Sequence, residues 1–162
     1  MAVDYYLKID GVAGLSKSMQ GYIDIVSWNW GVSNPTMRGR GTYAQHAEGK
    51  ASFQDFTIIK VVDPTTPNIV SNMFKGQHIK NAQLIARRTG TTGGTPQQFL
   101  EIKFEDLLVS SHHFSGSTEG AMIEESITFR FRKIYFSASA LKEGADQGAK
   151  HAGWDLNRQV TY

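Results

Sequence analysis

The chain has 162 residues, enough to bury a core without staples, and reads most simply as a single domain spanning 1–162. It contains no cysteine, which excludes disulfides and cysteine-ligated metal and leaves the redox compartment open. Its 17 basic and 15 acidic residues are spread along the chain for a formal charge of +2, far from the concentrated positive field of a dedicated nucleic-acid binder, so the balance favours protein partners.

The amino terminus alternates Val3, Tyr5, Leu7 and Ile9 with Asp4, Tyr6, Lys8 and Asp10, which predicts a strand ending at Gly11 and no secretory signal. No apolar stretch approaches the roughly 20 residues that span a bilayer, so no membrane insertion is expected. A polar loop, Gly11 to Gly21, leads into Ile23-Asp24-Ile25-Val26-Ser27-Trp28-Asn29-Trp30-Gly31-Val32. There Val26, Trp28, Trp30 and Val32 share a predicted packing face, and Ser27, Asn29, Gly31 and Ser33 share a small polar one. Ile23 and Ile25 have the opposite parity, a slip that needs a β-bulge or a strand passing between two sheets. Asn34 to Lys50, with Pro35, Gly39, Gly41 and Gly49, is a long connection without period.

Ala51 to Val62 predicts the next strand, with mixed phase. One short helix follows, with Thr66 as N-cap, Pro67 in the first turn, an apolar stripe of Ile69, Val70, Met73 and Phe74, and Gly76 closing it. Ala82 to Arg88 and a run beginning near Gln97 read as two strands joined by the glycine- and threonine-rich Thr89–Pro96 connection. In the second of these, Leu100, Ile102 and Phe104 alternate with Glu101, Lys103 and Glu105 before Leu107 and Val109 shift phase. Ile123 to Leu141 behaves alike, with Ile127, Phe129 and Phe131 giving way to Ile134, Phe136, Ala138 and Ala140. Gly153 to Val160 supplies a last short strand. About seven or eight strands and one helix predict a mainly β protein, an antiparallel two-sheet β-barrel or sandwich with one short flanking α-helix.

Chemistry is sparse. His112 and His113 are adjacent, point to opposite faces of a strand and make a poor metal pair there; a solvated or locally hydrogen-bonded role is the simpler reading. Ser111 and His113 can share a face, but no orienting acid or oxyanion hole accompanies them. Glu101 and Glu105 would stand about 13 Å apart on one face, wider than a glycosidase pair, with Lys103 between them. Gly39-Arg40-Gly41 does not extend into a dinucleotide or phosphate-loop pattern. Phe129 to Phe136 interleaves aromatics with Arg130, Arg132 and Lys133, and the alternative function is a barrel binding single-stranded nucleic acid there. Alternation argues against it, burying the aromatics and turning the bases to the opposite face. No cofactor, metal or catalytic residue is expected, and the chain is not expected to be an enzyme.

Taken in order, several segments resemble the haemolysin-coregulated protein (Hcp) family, the tube protein of the bacterial type VI secretion apparatus. They are Met1-Ala2-Val3-Asp4, Ile23-Asp24 leading to Trp28-Asn29-Trp30-Gly31, Phe53-Gln54-Asp55-Phe56 and Lys60 through Thr66-Pro67-Asn68. Leu107-Leu108-Val109-Ser110-Ser111, Glu125-Ser126-Ile127-Thr128-Phe129 and Gly153-Trp154-Asp155 continue the resemblance over nearly the whole chain. It implies a small β-barrel with one flanking helix, a homo-hexamer ring, and rings stacked into a hollow tube. It also implies type VI effectors held in the lumen, a puncturing tip, and a contractile sheath that propels the tube from the bacterial cytoplasm out of the cell without a signal peptide. The Asn34–Lys50 segment corresponds to the extended loop of ring-to-ring contact, where Arg38, Arg40 and Tyr43 are the stacking candidates; an ordinary surface loop is the competing reading. Ser27 and Asn29 are the lumen candidates, and solvated sheet surface is their competing role.

Overall fold

The structure, a computed structural model, describes residues 2–34, 51–89, 94–140 and 148–162. The stacking candidates Arg38, Arg40 and Tyr43 lie outside the described residues. In chain order the elements are β1 (Val3–Ile9), β2 (Ile23–Ile25), β3 (Ser27–Asn29), β4 (Val32–Ser33), β5 (Ser52–Phe53), β6 (Phe56–Val61), α1 (Thr66–Lys75), β7 (Ile79–Arg88), β8 (Gln97–Ser115), β9 (Glu124–Ala138), β10 (Lys150–Asp155) and β11 (Val160–Thr161). The strand count exceeds the expected seven or eight because three predicted runs break. The tryptophan run becomes β2, β3 and β4, Ala51–Val62 becomes β5 and β6, and the last run becomes β10 and β11.

Every pairing is antiparallel. One path runs β11-β10-β9-β8-β7-β1-β2, and a second joins β3 to β6 and β6 to β9. β9 is therefore shared: its first half pairs with β6 (Ile58↔Ile127) and its second with β10 (Ala152↔Phe136), while β8 lies along its whole length. The result is sandwich-like rather than a regular closed barrel. The tryptophan strand crosses between the sheets as its phase slip predicts. β2 pairs with β1, β3 with β6, and the chain bends at Val26, whose N–H donates to the Ile59 carbonyl at 2.9 Å. The bend corrects one expectation. Val26 and Val32 do not join the packing face but stand 52% and 49% exposed, while Trp28 and Trp30 pack against the core.

The long strands turn over in register. On β8, Ile102 and Phe104 face the core and then Leu107 and Val109; on β9, Ile127, Phe129 and Phe131 do so and then Ile134. Each switch is an odd step, and both flank the rung Glu105↔Lys133. Asp106 makes the change with φ 54°, a left-handed conformation that aspartate tolerates better than most residues. Its carboxylate meets His78 Nδ1 at 2.6 Å and Arg132 Nε at 3.9 Å. Between the faces Phe56 stacks on Phe104 (centroids 4.4 Å) and Phe104 meets Phe131 (4.9 Å).

The helix ends where Gly76 adopts φ 60°, its N–H reaching the Met73 carbonyl at 3.1 Å. Its start and stripe differ from expectation. The N-cap position is Thr65, and the Thr66 hydroxyl is withdrawn from capping because it donates to Glu125 Oε1 at 2.5 Å. Ile69 is fully buried and Met73 packs beneath it, but Phe74 is 79% exposed. At about 100° per residue Phe74 is turned some 140° from Ile69, whereas Met73 is turned about 40°.

β6 alternates buried and half-buried residues, which puts Lys60 on the core side with Phe56 and Ile58. A buried ammonium needs partners. Lys60 Nζ lies 2.5 Å from Glu125 Oε1, 3.0 Å from Asp63 Oδ1 and 2.9 Å from the Val61 carbonyl, and the side chains of Lys60 and Glu125 are both fully buried. His112 Nε2 takes the other Glu125 oxygen at 2.6 Å. The histidine is thus locally hydrogen-bonded and buried, not solvated. Burial alone would raise the Glu125 pKa, but hydrogen bonds from Lys60, Thr66 and His112 and the lysine's charge outweigh it, and the carboxyl is held below its ordinary range. Asp63 is lowered in the same way, burial being overcome by Thr65 and Lys60.

Lys60→Met should cost about 3–5 kcal/mol in urea unfolding by leaving the buried Glu125 without its lysine counter-charge, while adding Glu125→Leu should recover most of the loss. A double variant as unstable as the single one would contradict this. Because the native carboxyl pKa values lie below their unfolded ones, the contribution is complete above the ordinary value of 4.5 for Glu125 and is lost as pH falls through the depressed native value. Stability measured from pH 7 downward should therefore hold until about pH 4.5 and then fall, more steeply in wild type than in Glu125→Gln.

Candidate functional site

β3 carries Ser27 and Asn29 exposed, with Trp28 between them turned to the core side, edge-on to Tyr5 at 6.0 Å between ring centroids. Directly opposed residues of antiparallel strands share a face, so the register extends this polar surface across four strands. Asn29 pairs with Thr57, Thr57 with Thr128, and Thr128 with Ser111. Ser27 pairs with Ile59, Ile59 with Ser126, and Ser126 with His113. All eight are exposed or half-buried. The Thr57 and Thr128 hydroxyls lie 3.0 Å apart, and Ser110 Oγ donates to the Thr128 carbonyl at 3.2 Å.

Neither rung holds a carboxylate, ammonium or guanidinium. The nearest charges are at the margins, where Arg130 Nε meets Asp55 at 3.5 Å and Glu124 opposes Val61. The outer face of the other sheet is the opposite in character. There Lys8, Gln83, Lys103 and Tyr135 form one rung and Asn81, Glu105 and Lys133 another. Glu101 accepts from Gln83 Nε2 and lies 3.3 Å from Lys103 Nζ, the ladder of charges expected for Glu101, Lys103 and Glu105. One sheet is thus surfaced by charge and the other mainly by serine, threonine and asparagine, with Ile59 and His113 among them.

Ser111 and His113 do share a face, on neighbouring rungs that hold no orienting acid. His112 points the other way. In the basic and aromatic segment, Phe129 and Phe131 are buried, Arg130 is paired with Asp55, Arg132 faces Asp106, and Lys133 lies 3.3 Å from Glu105. Each cation there is answered by a carboxylate, which removes the positive track that a single strand of nucleic acid follows.

A third surface was not expected. The β4–β5 ribbon leans on β10, with Phe53 stacked against Trp154 (6.4 Å, 21°) and tilted against Trp30 (6.4 Å). Beside this ladder lies an apolar groove of about 260 Å³ lined by Trp30, Val32, Phe53, Phe136, Ala152 and Trp154. Phe136 faces the same side as Ile134, as its parity predicts, but the core ends before it and the ring is 36% exposed. Spacing alone shows neither the groove nor the four-strand polar surface, because both depend on register. The alternation of Thr57 with Ile58, Ser126 with Ile127 and Ser111 with His112 was the available signal.

Residues 6–137 match the family described as the type VI secretion system effector, Hcp. The chain is 32% identical to Protein hcp1 of Pseudomonas aeruginosa over 162 residues, covering 99% of each chain. Among solved structures it is similar to Hcp1 from Salmonella typhimurium (TM-score 0.78, 25% identity, all of both chains). A type six secretion system protein shares the fold more closely, with TM-score 0.88 at 24% identity over 99% of this chain and 100% of the other. The match spans the tryptophan strand, the Lys60–Glu125 core, the helix and the two long strands, and the chain belongs to the type VI secretion Hcp family.

Proposed function

We propose that this chain is a structural subunit of the type VI secretion inner tube, assembling into hexameric rings that stack and leave the cell with the tube. The observation that carries the reading is family membership over nearly the whole chain joined to a sheet face of β3, β6, β9 and β8 whose two named rungs hold no carboxylate, ammonium or guanidinium. A ring presents one face of every subunit to its axis, repeated six times, so a charged rung there becomes a ring of like charge. The Ser27 and Asn29 surface avoids that cost. It is the wall we assign to the lumen, where effectors are held by hydrogen bonds with the hydroxyls and amide.

Arg38, Arg40 and Tyr43 are proposed to make the ring-to-ring contact. The puncturing tip and the contractile sheath complete the partner set, and the sheath supplies the work. The subunit then needs no nucleotide, metal or catalytic group of its own, acts as no enzyme, and passes from the cytoplasm to the exterior through the apparatus rather than by a cleaved signal.

Native mass measurement should find a six-subunit particle, and a monomer at every concentration would overturn the reading. Asn29→Gln should leave that particle intact and reduce co-purification of a co-expressed type VI effector by about tenfold or more, because the added methylene carries the amide away from the position at which it meets cargo. Disruption of the ring by Asn29→Gln would instead place the side chain in a subunit contact. Replacing Arg38 and Arg40 together by alanine should leave rings whole and shorten their stacks in electron micrographs.

A further inference from the structure

The hairpin joining β8 and β9 ends in an apolar tip. Phe114, Met122 and Ile123 are 63%, 67% and 55% exposed, and the Ile123 side chain covers Gly116 across the hairpin. From Ser111 to Phe129 the only charged residues are Glu119, Glu124 and Glu125, and Glu125 is spent in the core. At the other end of the same strands lies the apolar groove between the β4–β5 ribbon and β10. Beside it stands Lys150, exposed and in register with Ala138 as Ala152 is with Phe136, while the carboxylate of Asp155 is buried and occupied by the Asn157 and Arg158 amides. An apolar knob flanked by Glu119 and an apolar groove flanked by Lys150 are thus carried by one chain, roughly 40 Å apart along the strands at standard rise. That separation forbids their meeting within a subunit. It suits a head-to-tail contact, in which one patch of each copy engages a different patch of the next.

We propose that the β8–β9 hairpin tip of one copy inserts into the Trp30–Phe53–Trp154 groove of a neighbouring copy, with Glu119 against Lys150. This rests on the reading of the chain as a self-assembling subunit and names the surfaces that assemble. It assigns Phe114, Met122 and Ile123 to an interface, where exposed apolar side chains of this size are ordinarily found. The contact is apolar at its centre and charged at its margin, so salt changes its rate of formation more than its strength.

The absence of cysteine makes the test clean. Met122→Cys and Val32→Cys in the same chain, oxidised in the assembled protein, should give a ladder of covalently linked oligomers, whereas each single variant stops at a dimer. A disulfide requires Cα atoms within about 7 Å, so the ladder reports the proposed contact and cannot arise inside one subunit. Ile123→Asp, with an unchanged circular dichroism spectrum, should raise the concentration for half-assembly at least tenfold. If wild type assembles but the double-cysteine chain gives no ladder beyond dimers, or Ile123→Asp assembles as before, the inference is overturned while the assembly reading stands. A wild-type protein that stays monomeric overturns both.

Discussion

The constraint on which this structure rests is that β8 and β9 must each serve two sheets. A strand can do so only if its buried face changes sides. Two paired strands can do so together only if they change at the same rung, since a one-residue mismatch turns every later side chain the wrong way. The change falls on either side of Glu105↔Lys133, where Asp106 takes a left-handed backbone and Arg132 and His78 surround its carboxylate. On the Gln97 side of that rung the paired strands surface one sheet with lysine and glutamate; on the hairpin side they surface the other with serine and threonine. The same two strands also carry the hairpin tip at one end and Phe136, in the groove, at the other.

The second sheet is built around a charged core. Lys60 joins β6 to Glu125 of β9, His112 of β8 holds the other carboxylate oxygen, and Thr66 ties in the first turn of α1. Such a pair contributes little net stability compared with apolar residues of the same volume, but once present it cannot be broken without stranding a charge. Its consequence is geometric. The rungs on the far side of β6, β8 and β9, which bear Thr57, Ile59, Ser111, His113, Ser126 and Thr128, are held in one register.

Much of this was legible in the chain. Period-two alternation located β1, β8 and β9, the reversed parity of Ile23 and Ile25 marked the crossing strand, and the shifts after Phe104 and Phe131 marked the corner. Burial was less legible than parity. Val26 has the right phase for a packing face but sits at the bend, and Phe74 belongs to the helix's apolar residues by type while its angle carries it outward. Lys60 was passed over because lysine is almost never fully buried, although its place two residues after Ile58 put it on the core side. The polar wall and the groove were hidden for another reason: each is built from residues far apart in sequence, and register between strands is set by tertiary packing.

The central claim is that the uncharged face of β3, β6, β9 and β8 lines the channel of a ring. Family membership makes a type VI secretion role secure, and the contrast between the two sheet surfaces is the ground for proposing that the uncharged one turns inward. Electron cryomicroscopy of the purified protein, at a resolution that places side chains, tests this most directly. The account predicts a six-fold ring with Ser27, Asn29, Thr57 and Thr128 on the axial channel and the Lys8–Lys103 face outside. A ring in which the charged face lines the channel, or in which Asn29 is buried between subunits, would contradict it.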